Sequence, residues 1–267
     1  MKKLSIVITH YKTPELLVLC INSIKKNLTD VDFEIIVVDS CFEEKNKKFI
    51  LEKYSEVKYV CFKKNVGYAK IVNAGIKLAQ GEYVLILNAD IIVIDKAIDK
   101  LIAYAEKNPG AGIVAPQLLD FTNNIQVSCF KDPDWGTILA RRTILGKSGW
   151  GKNKLKKSVV QPLGNNSAQE VDWAQGSAML TKKNLIDKIG LMDERFFMYF
   201  EDADWCRRFR MAGYKVIYLP EAKMFHYYHR ASKKWGFVLD LIFNKYTRIH
   251  LLSSIKYFAK WKNYEKN

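Results

Sequence analysis

Two aspartates each come directly after a run of apolar residues, where a carboxylate could bind a ligand. Asp90 follows the run 83–87 closely, and a carboxylate there suits a divalent cation bound to a diphosphate. Mg²⁺ or Mn²⁺ takes one or two carboxylates and leaves its other positions to phosphate oxygens and water. Asp39 follows the run 35–38, and its carboxylate could accept a hydrogen bond from the N3–H group of a pyrimidine base. Either aspartate could instead be an ordinary turn residue, since Asp is common where strands end.

Three carboxylates lie within four residues in the segment Glu201-Asp202-Ala203-Asp204. Mutual repulsion and burial beside aromatic neighbours would raise the pKa of one of them, which suits a general base, and Asp202 is our candidate. The alternative is an acidic first helical turn that complements the helix dipole, and we apply it to Asp204, with Arg208 as its i,i+4 partner. His226 stands among aromatic residues, where a histidine is more often structural than a metal ligand.

The first half of the chain alternates between predicted strands and predicted helices. The strands are residues 4–9, 33–38, 57–62 and 83–87, and the helices are residues 14–27, 43–54, 68–79 and 95–108. Continuous apolar strands that alternate with helices predict a parallel sheet covered on both faces. Ligands of such sheets bind beyond the carboxyl ends of the strands. We therefore expect the site at the edge that carries Thr9, Asp39, Gly67, Asn88 and Asp90.

The second half of the chain has a less regular pattern. Residues 130–170 are basic and weakly periodic, which favours a mobile excursion from the fold. The predicted elements after it are a strand over 174–181, helices over 183–189 and 203–212, and a last strand over 215–218 before Pro220.

Charge and cysteine content restrict the class of protein. The 267 residues include 43 Lys and Arg against 28 Asp and Glu, a net charge of +15 that points to an anionic partner. Five scattered cysteines without a C-x-x-C pair are typical of reduced thiols inside a cell. The apolar stretch after Met1 is too short for a signal peptide, and no apolar run reaches about 18 residues. We therefore expect a cytoplasmic protein.

Several motifs together resemble those of the family 2 glycosyltransferases, which have the GT-A fold. The motifs are residues 5–11 (SIVITHY), 36–40 (IVVDS), 65–69 (NVGYA) with 73–75 (NAG), 87–90 (LNAD), 173–180 (WAQGSAML), and 190–204 (GLMDERFFMYFEDAD) continuing through 210–214 and 220–222 to His226. Their order and spacing match over roughly residues 3–230. The sequence is most similar to the subgroup that contains rhamnosyltransferases of bacterial surface-polysaccharide assembly.

The resemblance implies an α/β protein of the GT-A fold, with a Rossmann-like, mostly parallel sheet flanked by helices and a C-terminal helical extension. The implied glycosyltransferase domain covers residues 1–230. Its nucleotide-binding half covers about 1–116 and its acceptor-binding half about 117–230. A basic amphipathic helical tail at 231–267 follows.

The resemblance also implies roles for single residues. Asp202 matches the catalytic base, and Asp90 matches the metal-binding carboxylate of the D-x-D motif, which here reads Asn88-Ala89-Asp90 with one carboxylate instead of two. His226 matches a position that completes the metal or diphosphate site, and the implied cofactor is Mg²⁺ or Mn²⁺. The implied nucleotide-sugar-binding residues are Thr9, Asp39, Gly67, Asn73, Asn88, Asp90, Trp173 and Gly176.

The implied function is inverting, metal-dependent transfer of a hexosyl group, such as rhamnose, in cell-surface polysaccharide synthesis. The donor would be a dTDP- or UDP-sugar, and the acceptor a hydroxyl of a glycan or lipid-linked oligosaccharide. Metal and basic side chains would neutralise the departing diphosphate. Asp202 would take the proton of the acceptor hydroxyl, and a single displacement would invert the anomeric configuration.

Other function classes make different demands on the sequence. A sugar nucleotidyltransferase usually has a glycine-rich, Arg-containing loop after the first strand, and residues 9–13 contain no glycine. A nucleic-acid-binding protein would account for the charge, but the basic residues form no recognised binding module, so we expect no nucleic-acid partner. A transferase-like protein without activity is disfavoured because Asp90, Asp202 and His226 are all present.

Residues 230–267 contain nine Lys or Arg and two acidic residues. Apolar residues recur among them, mostly three or four positions apart: Trp235, Val238, Leu239, Ile242, Tyr246, Ile249, Ile255, Phe258 and Trp261. This pattern is typical of a helix on an anionic membrane, so we predict peripheral binding at the inner face of the plasma membrane. The alternative is a helix packed on the catalytic domain or a homodimer through the C-terminal helices, since core packing also uses such stripes.

Overall fold

The computed structural model describes residues 2–160, 167–227 and 244–262. Its helices are α1 (Pro14–Asn27), α2 (Glu44–Lys53), α3 (Tyr68–Leu78), α4 (Ala97–Lys107), α5 (Trp135–Arg142), α6 (Gly149–Lys157), α7 (Lys183–Ile189), α8 (Glu201–Met211) and α9 (Lys245–Lys262), with a 3₁₀ turn at Ile144–Lys147. Its strands are β1 (Leu4–His10), β2 (Phe33–Asp39), β3 (Lys58–Cys61), β4 (Tyr83–Asn88), β5 (Ile91–Val93), β6 (Ala111–Leu119), β7 (Ile125–Gln126), β8 (Cys129–Phe130), β9 (Gln169–Val171), β10 (Trp173–Ala174), β11 (Ala178–Lys182) and β12 (Lys215–His226).

Ten of the described strands form one mixed sheet. Its order is β3-β2-β1-β4-β11-β6-β12-β5, with β7 beside β6 and β9 beside β12. The four strands from β1 to β4 are parallel, which confirms the predicted parallel arrangement of the first half. Beyond them, β11 lies antiparallel between β4 and β6, and β12 is parallel to β6. The boundary predicted near residue 116 falls inside β6, so both halves share this sheet.

Helices cover both faces of the sheet, because alternate strand residues point to opposite sides. On one face Ile6 of β1 packs in a cluster with Ile21 of α1 and Leu101 of α4. On the other face Val7 belongs to a cluster with Phe209 of α8. Burial of each such side chain contributes about 1.5–3 kcal/mol. The two clusters therefore hold the strands, and with them the polar residues at the strand ends, in fixed positions.

The last predicted strand is too short in the sequence analysis. The expectation was a strand over 215–218 that ends before Pro220, but β12 continues through Pro220 to His226. The pairing of β12 with β6 shifts register between Leu219 and Lys223. At such an irregularity a residue need not donate a ladder hydrogen bond, so proline, which has no N–H group, can occupy the position. The longer strand carries His226 to the same edge of the sheet as Asp90.

The basic segment after β8 is also more ordered than the sequence suggests. In place of the predicted excursion, α5 and α6 form with a side-chain cap at each N-terminus. The carboxylate of Asp134 accepts a hydrogen bond from the backbone N–H of Thr137 at 2.9 Å, and the hydroxyl of Ser148 accepts one from Gly151 at 3.1 Å. Such caps contribute about 1 kcal/mol each, and they are hard to find in a segment without strong apolar periodicity. Residues 161–166 lie outside the described residues.

The described part of the C-terminal tail packs on the domain that contains the sheet. Tyr257 and Trp261 of α9 are buried against Phe200 and neighbouring apolar residues. The indole N–H of Trp261 donates to the carboxylate of Asp204 at 3.1 Å, and the ammonium of Lys260 lies 2.6 Å from the same carboxylate. These contacts support the packing alternative for α9, and nothing in them tests the membrane prediction.

Two further observations concern the tail and the membrane. The residues Trp235, Val238, Leu239 and Ile242 of the predicted apolar stripe lie outside the described residues. Among the residues that the structure describes, no helix combines the length and the apolar character needed to cross a bilayer.

Candidate active site

Polar side chains from β1, β2 and β4 meet at the carboxyl edge of the sheet. Strand pairing aligns Thr9 with Asn88 and His10 with Asp39. The hydroxyl of Thr9 donates to the side-chain oxygen of Asn88 at 2.9 Å. Asp90 follows two residues after Asn88. The parallel register alone therefore brings together the residues predicted at three strand ends.

Asp39 is fully buried and held by three groups. One carboxylate oxygen accepts from the backbone N–H of Cys41 at 2.9 Å, and the other accepts from the hydroxyl of Tyr59 at 2.7 Å. The Nδ1 atom of His10 lies 3.3 Å from the second oxygen. Burial acts to raise the pKa of Asp39, but His10 and the two hydrogen bonds outweigh it, so the pKa is lowered and the group is ionised at neutral pH. A carboxylate has about four acceptor positions, and these three groups occupy three of them.

The loop before α3 binds to the segment that precedes α8. Gly67 has φ = 93°, and a Cβ at this position would lie 2.4 Å from the carbonyl oxygen of Phe197, so only glycine fits. The side chain of Asn73 is buried, donates to the carbonyl oxygen of Met192 at 2.8 Å and accepts from its N–H at 3.0 Å. These hydrogen bonds of Asn73 are therefore to protein groups, and they hold the chain at Met192 against α3, next to the predicted nucleotide loop.

Asp90 and His226 lie next to each other, although 136 positions separate them. The antiparallel pairing of β5 with β12 aligns Ile91 with His226, and the Nε2 atom of His226 lies 3.6 Å from Oδ1 of Asp90. Burial raises the pKa of Asp90 to about 6 and lowers the pKa of His226 to about 4, so the imidazole is neutral at pH 7. A neutral imidazole beside a carboxylate is an O/N pair that can bind a divalent cation.

Gln126 fixes the orientation of His226, and the sequence analysis missed it. The Nδ1 atom of His226 lies 2.9 Å from the side-chain oxygen of Gln126, and the amide of Gln126 donates to the backbone carbonyl of His226 at 2.8 Å. With Nδ1 as the donor, the lone pair of Nε2 points toward Asp90. Such partners of a ligating histidine fix its tautomer. No sequence signal links a residue on β7 to one about 100 positions later on β12.

The protein supplies only part of the set of ligands that a metal ion needs. Oδ1 of Asp90 is buried and has no hydrogen-bond partner among the described residues, a costly arrangement that a bound cation would relieve. Within the same residues, no group of three or more His, Cys, Asp or Glu could hold a metal. A cation at Asp90 and His226 would therefore take its remaining ligands from a diphosphate and from water.

Asp202 lies at the start of α8 in a buried position. One oxygen accepts from the backbone N–H of Gly176 at 3.1 Å and the other from that of Ala203 at 2.8 Å. Burial raises the pKa of Asp202 to about 6, and the two hydrogen bonds act against this rise. The neighbouring Glu201 is also buried, and burial together with the charge of Asp202 raises its pKa well above the usual value. Of the two groups, Asp202 is thus the one that is ionised near neutral pH and can accept a proton.

The backbone before α8 is strained where it delivers Asp202. Tyr199 and Phe200 have φ values of 70° and 71°, in the left-handed region that costs non-glycine residues about 1–3 kcal/mol each.

Asp204, in contrast to Asp202, has a structural role. Its carboxylate lies 3.1 Å from Nε of Arg208, which confirms the predicted i,i+4 pair.

Tyr68 links the two halves of the site. Its hydroxyl donates to the carbonyl oxygen of Gly176, and the N–H of the same residue donates to Asp202. Burial raises the pKa of Tyr68 well above its usual value, and so do the nearby carboxylates of Glu201, Asp202 and Asp90. Next to Gly176, the carbonyl oxygen of Ser177 accepts from the N–H of Asn88 at 2.9 Å, two residues before Asp90. Residues 176 and 177 therefore connect Tyr68 and the candidate base to the strand end that precedes Asp90. In the sequence, Tyr68 is part of the motif at residues 65–69, and no local signal assigns it a role of its own.

Trp173 and Gly176 belong to one short segment, in which Trp173 is part of β10 and Gly176 follows that strand. The ring of Trp173 stacks on that of Phe130 with 4.4 Å between centroids, and its indole N–H donates to the carbonyl of Lys131 at 3.0 Å. A Cβ on Gly176 would lie 3.2 Å from the ring of Tyr68. Gly176 thus borders both Tyr68 and Asp202, whereas the described contacts of Trp173 are with other protein groups.

Comparison with known proteins gives three kinds of match. The family model described as "Glycosyl transferase family 2" matches residues 5–128. An N-acetylglucosaminyl-diphospho-decaprenol L-rhamnosyltransferase of Mycobacterium tuberculosis is 26% identical over 213 residues, which cover 74% of this chain and 68% of that protein. Rhamnosyltransferase WbbL of Escherichia coli K12 is 27% identical over 242 residues, covering 88% of this chain and 85% of that protein.

The fold is also similar to that of solved glycosyltransferases. The crystal structure of GalNAc-T7 with UDP, GalNAc and Mn²⁺ matches with a TM-score of 0.65 and 15% identity. The match covers 86% of this chain but only 44% of that one, so the chain spans less than half of that structure. At this level of identity the likeness establishes the GT-A fold alone.

Proposed function

We propose, from the premise that residues 5–128 form a family 2 glycosyltransferase domain, that this protein is an inverting hexosyltransferase of cell-surface polysaccharide synthesis. The observation that carries the proposal is the arrangement around Tyr68. Tyr68 and the buried carboxylate of Asp202, whose pKa is about 6, are both bonded to Gly176, and the next residue, Ser177, accepts a hydrogen bond from the N–H of Asn88. Asn88 lies two residues before Asp90, which forms the metal-capable pair with His226. Transfer of a sugar from a nucleoside diphosphate needs both parts close together.

In the proposed reaction, Asp202 removes the proton of the acceptor hydroxyl as that oxygen attacks the anomeric carbon. General bases work best when their pKa lies near the working pH, and the buried Asp202 meets this condition. The N–H groups of Gly176 and Ala203 orient its carboxylate, and Tyr68 holds the peptide of Gly176. A single displacement inverts the anomeric configuration and needs no covalent sugar–enzyme intermediate.

A divalent cation, Mg²⁺ or Mn²⁺, completes the proposal on the donor side. Asp90 and His226 would hold it, and Gln126 would keep His226 in the ligating tautomer. The cation supplies electrostatic stabilisation to the departing diphosphate. The unpartnered oxygen of Asp90 supports this assignment, and so does the Mn²⁺ in the similar GalNAc-T7 structure.

We infer a dTDP- or UDP-sugar as the donor, with rhamnose as the first sugar to test. Asp39 is ionised and has one acceptor position left, which suits the N3–H group of thymine or uracil. Thr9 and Asn88 lie beside it at the strand ends, where they can contact the nucleotide. The names of the relatives support rhamnose, and one of them names a lipid-linked acceptor.

We further propose a glycan or lipid-linked oligosaccharide as the acceptor and the cytoplasmic face of the plasma membrane as the location. The acceptor-binding half would comprise residues 117–230, which contribute Asp202 and the segment around Gly176. A lipid-linked acceptor is anchored in the bilayer, so its hydroxyl would meet the enzyme at the membrane surface.

The experiment that tests the proposal is a donor screen with the purified chain. Thermal stability is measured with dTDP, UDP and GDP, each with Mn²⁺, with Mg²⁺ or with a chelator, because a ligand that binds only the folded state stabilises it. We expect stabilisation by dTDP or UDP that needs the metal and is lost in Asp90→Ala. Release of dTDP from dTDP-rhamnose is then measured with N-acetylglucosaminyl-diphospho-polyprenol as acceptor. Absence of nucleotide binding under all these conditions would overturn the proposal.

A further inference from the structure

One exposed surface combines many basic residues with large apolar side chains, outside the site. It is formed by residues 135–157, which contain α5, the 3₁₀ turn and α6, and by the outer face of α9 within residues 244–262; we name it the basic-apolar face. Residues 135–157 carry seven Lys or Arg, and residues 244–262 carry five. Neither segment contains Asp or Glu. About a quarter of the basic residues of the chain thus lie in two segments without any acid.

Large apolar side chains are exposed in the same two segments. Ile144 in the 3₁₀ turn is 79% exposed, and Trp150 of α6 is 52% exposed. On α9, Leu252 and Ile255 are 57% and 49% exposed, and they lie three positions apart on the side opposite the buried Tyr257. Single exposed apolar residues are ordinary, but a group of them within one basic surface marks a site of interaction.

Packing between the two segments makes the face continuous. The ring of Trp135 in α5 stacks on that of Phe258 in α9, with 4.3 Å between centroids. A Cβ on Gly136 would lie 3.6 Å from the ring of Trp150, so α6 lies against the first turn of α5. An ion pair of 3.2 Å between Lys154 and Asp134 holds the same two helices together.

We propose that the basic-apolar face binds the surface of an anionic phospholipid bilayer. Ile144, Trp150, Leu252 and Ile255 would enter the interfacial region, and the lysines and arginines around them would contact the lipid headgroups. Interfacial segments have this composition, with basic residues beside Trp, Leu and Ile and too little apolar length to span. Charge disfavours a second copy of the chain as the occupant. Lys154 and Lys260 are paired with Asp134 and Asp204, and the other basic residues of the two segments would repel those of the second copy.

The orientation that follows suits the proposed function, and this step alone rests on it. Phe200 contacts both Tyr257 and Phe258 of α9, and it lies two residues before Asp202. The phenyl ring of Phe130, which stacks on Trp173, also lies under the guanidinium of Arg141 in α5. The candidate base thus lies behind α9, about one helix diameter from the outer side of that helix, and Trp173 is connected to α5 through Phe130. A bilayer on the basic-apolar face would present a lipid-linked hydroxyl close to this part of the site.

The test is co-sedimentation of the full chain with vesicles, without nucleotide or metal, so that the outcome does not depend on transferase activity. One set of vesicles is phosphatidylcholine alone and the other is equimolar phosphatidylcholine and phosphatidylglycerol. We expect binding to the second set only, and a fall in binding as salt is raised, because screening weakens attraction to the headgroups.

Two variants test the two components of the face. Ile144→Asn removes an almost fully exposed apolar side chain and should weaken partitioning about tenfold. The triple change Lys152→Gln, Lys156→Gln and Lys157→Gln should weaken it about 100-fold, since each basic residue near an anionic surface contributes roughly a fivefold factor.

Matched controls lie elsewhere on the chain. Met211→Asn removes a side chain that is 57% exposed at the end of α8, and Lys45→Gln with Lys48→Gln and Lys53→Gln removes the same charge from α2. These controls should bind as the unchanged chain does. Melting temperatures check the folding of every variant, and the exposed positions leave the core untouched.

Three outcomes would overturn the proposal: no binding of the unchanged chain to anionic vesicles, equal loss in the control and test variants, or a dimer in sedimentation velocity that Ile144→Asn dissociates. The last result would make the face a contact between copies. Nucleotide binding retained alongside any of these outcomes would leave the transferase proposal standing.

Discussion

Replacing Asp202 by Asn should nearly abolish transfer while leaving donor binding close to normal. The amide keeps the shape of the side chain but cannot accept the proton of the acceptor hydroxyl. Loss of a general base lowers the rate by roughly 100- to 10,000-fold. The diphosphate side of the site, at Asp90 and His226, has no direct hydrogen bond to Asp202 in the structure, so nucleotide affinity should change little.

Because Asp202 is buried, the same substitution should also change how the free energy of unfolding depends on pH. Burial raises the pKa of Asp202 from 3.8 to about 6 in the folded chain. Below about pH 3 the carboxyl is largely protonated in both the folded and unfolded states, and its ionisation does not affect stability. As pH rises from about 4 to about 6, the unfolded state is ionised while the folded state keeps its proton, so the unchanged chain loses stability, and the loss is complete above about pH 6. A shift of about two pKa units corresponds to on the order of 3 kcal/mol.

Asparagine does not ionise, so the variant does not lose this stability as the pH rises. Its amide offers one acceptor where Asp202 offers two, and one N–H group, of Gly176 or Ala203, loses its partner at a cost of about 1–3 kcal/mol. That cost does not depend on pH. The free energy of unfolding of the variant relative to the unchanged chain should therefore rise by on the order of 3 kcal/mol between about pH 4 and pH 8.

Urea denaturation at several pH values, without ligands, measures this difference, and release of the nucleoside diphosphate measures the rate. The control is Asp187→Asn, an exposed position on α7 that should change neither quantity. A rate above a tenth of that of the unchanged chain would contradict the role of Asp202 as the base. A stability difference that stays flat with pH would contradict its buried environment.

Further substitutions test other parts of the site. Asp90→Ala and His226→Ala should both weaken metal-dependent donor binding, with the larger effect from Asp90; unchanged activity after exhaustive chelation would refute the metal role. Gln126→Leu should lower metal affinity about 10- to 100-fold through the tautomer of His226, which isothermal titration with Mn²⁺ and UDP measures. Tyr68→Phe should shift the acid limb of the pH–rate profile with little change in donor affinity, and an unshifted limb would remove its positioning role. Trp261→Ala should lower the free energy of unfolding by about 3–5 kcal/mol, and a loss below about 1 kcal/mol would mean that α9 is not docked.

Local sequence signals were sufficient for α1 to α4 and for β1 to β4, but they did not predict β5 or β6. The predicted strands and helices up to residue 108 agree with β1 to β4 and α1 to α4 to within a few residues, because their apolar runs and caps are contiguous in the chain. The same signals assigned Asp39 and Asp90 to strand ends, and the parallel register then brought them to one edge. The Asp204–Arg208 pair was also predictable, since its partners are four residues apart on one helix.

The choice of buried face on α9 required the tertiary structure. The apolar stripe in the sequence includes Tyr246, Ile249 and Ile255, but Ile255 is exposed, and small or polar residues such as Ser254 fill much of the buried face. The docking surface offers Asp204 and the carbonyl of Met198, so it selects hydrogen-bonding side chains as well as apolar ones. Hydropathy alone cannot anticipate a partner of that kind.

The metal-capable pair, Asp90 and His226, combines one position that the sequence predicts with one that depends on the tertiary structure. The sequence by itself determined that a carboxylate stands at the end of β4, because the apolar run and the aspartate are adjacent in the chain. Only the tertiary structure decided that His226 stands beside Asp90, since this depends on β12 continuing through Pro220 and pairing with β5. Gln126 reaches the same histidine because β7 folds back on β6. Contacts between residues about 100 or more positions apart are set by strand order and register, which arise from packing of the whole sheet and leave no local pattern.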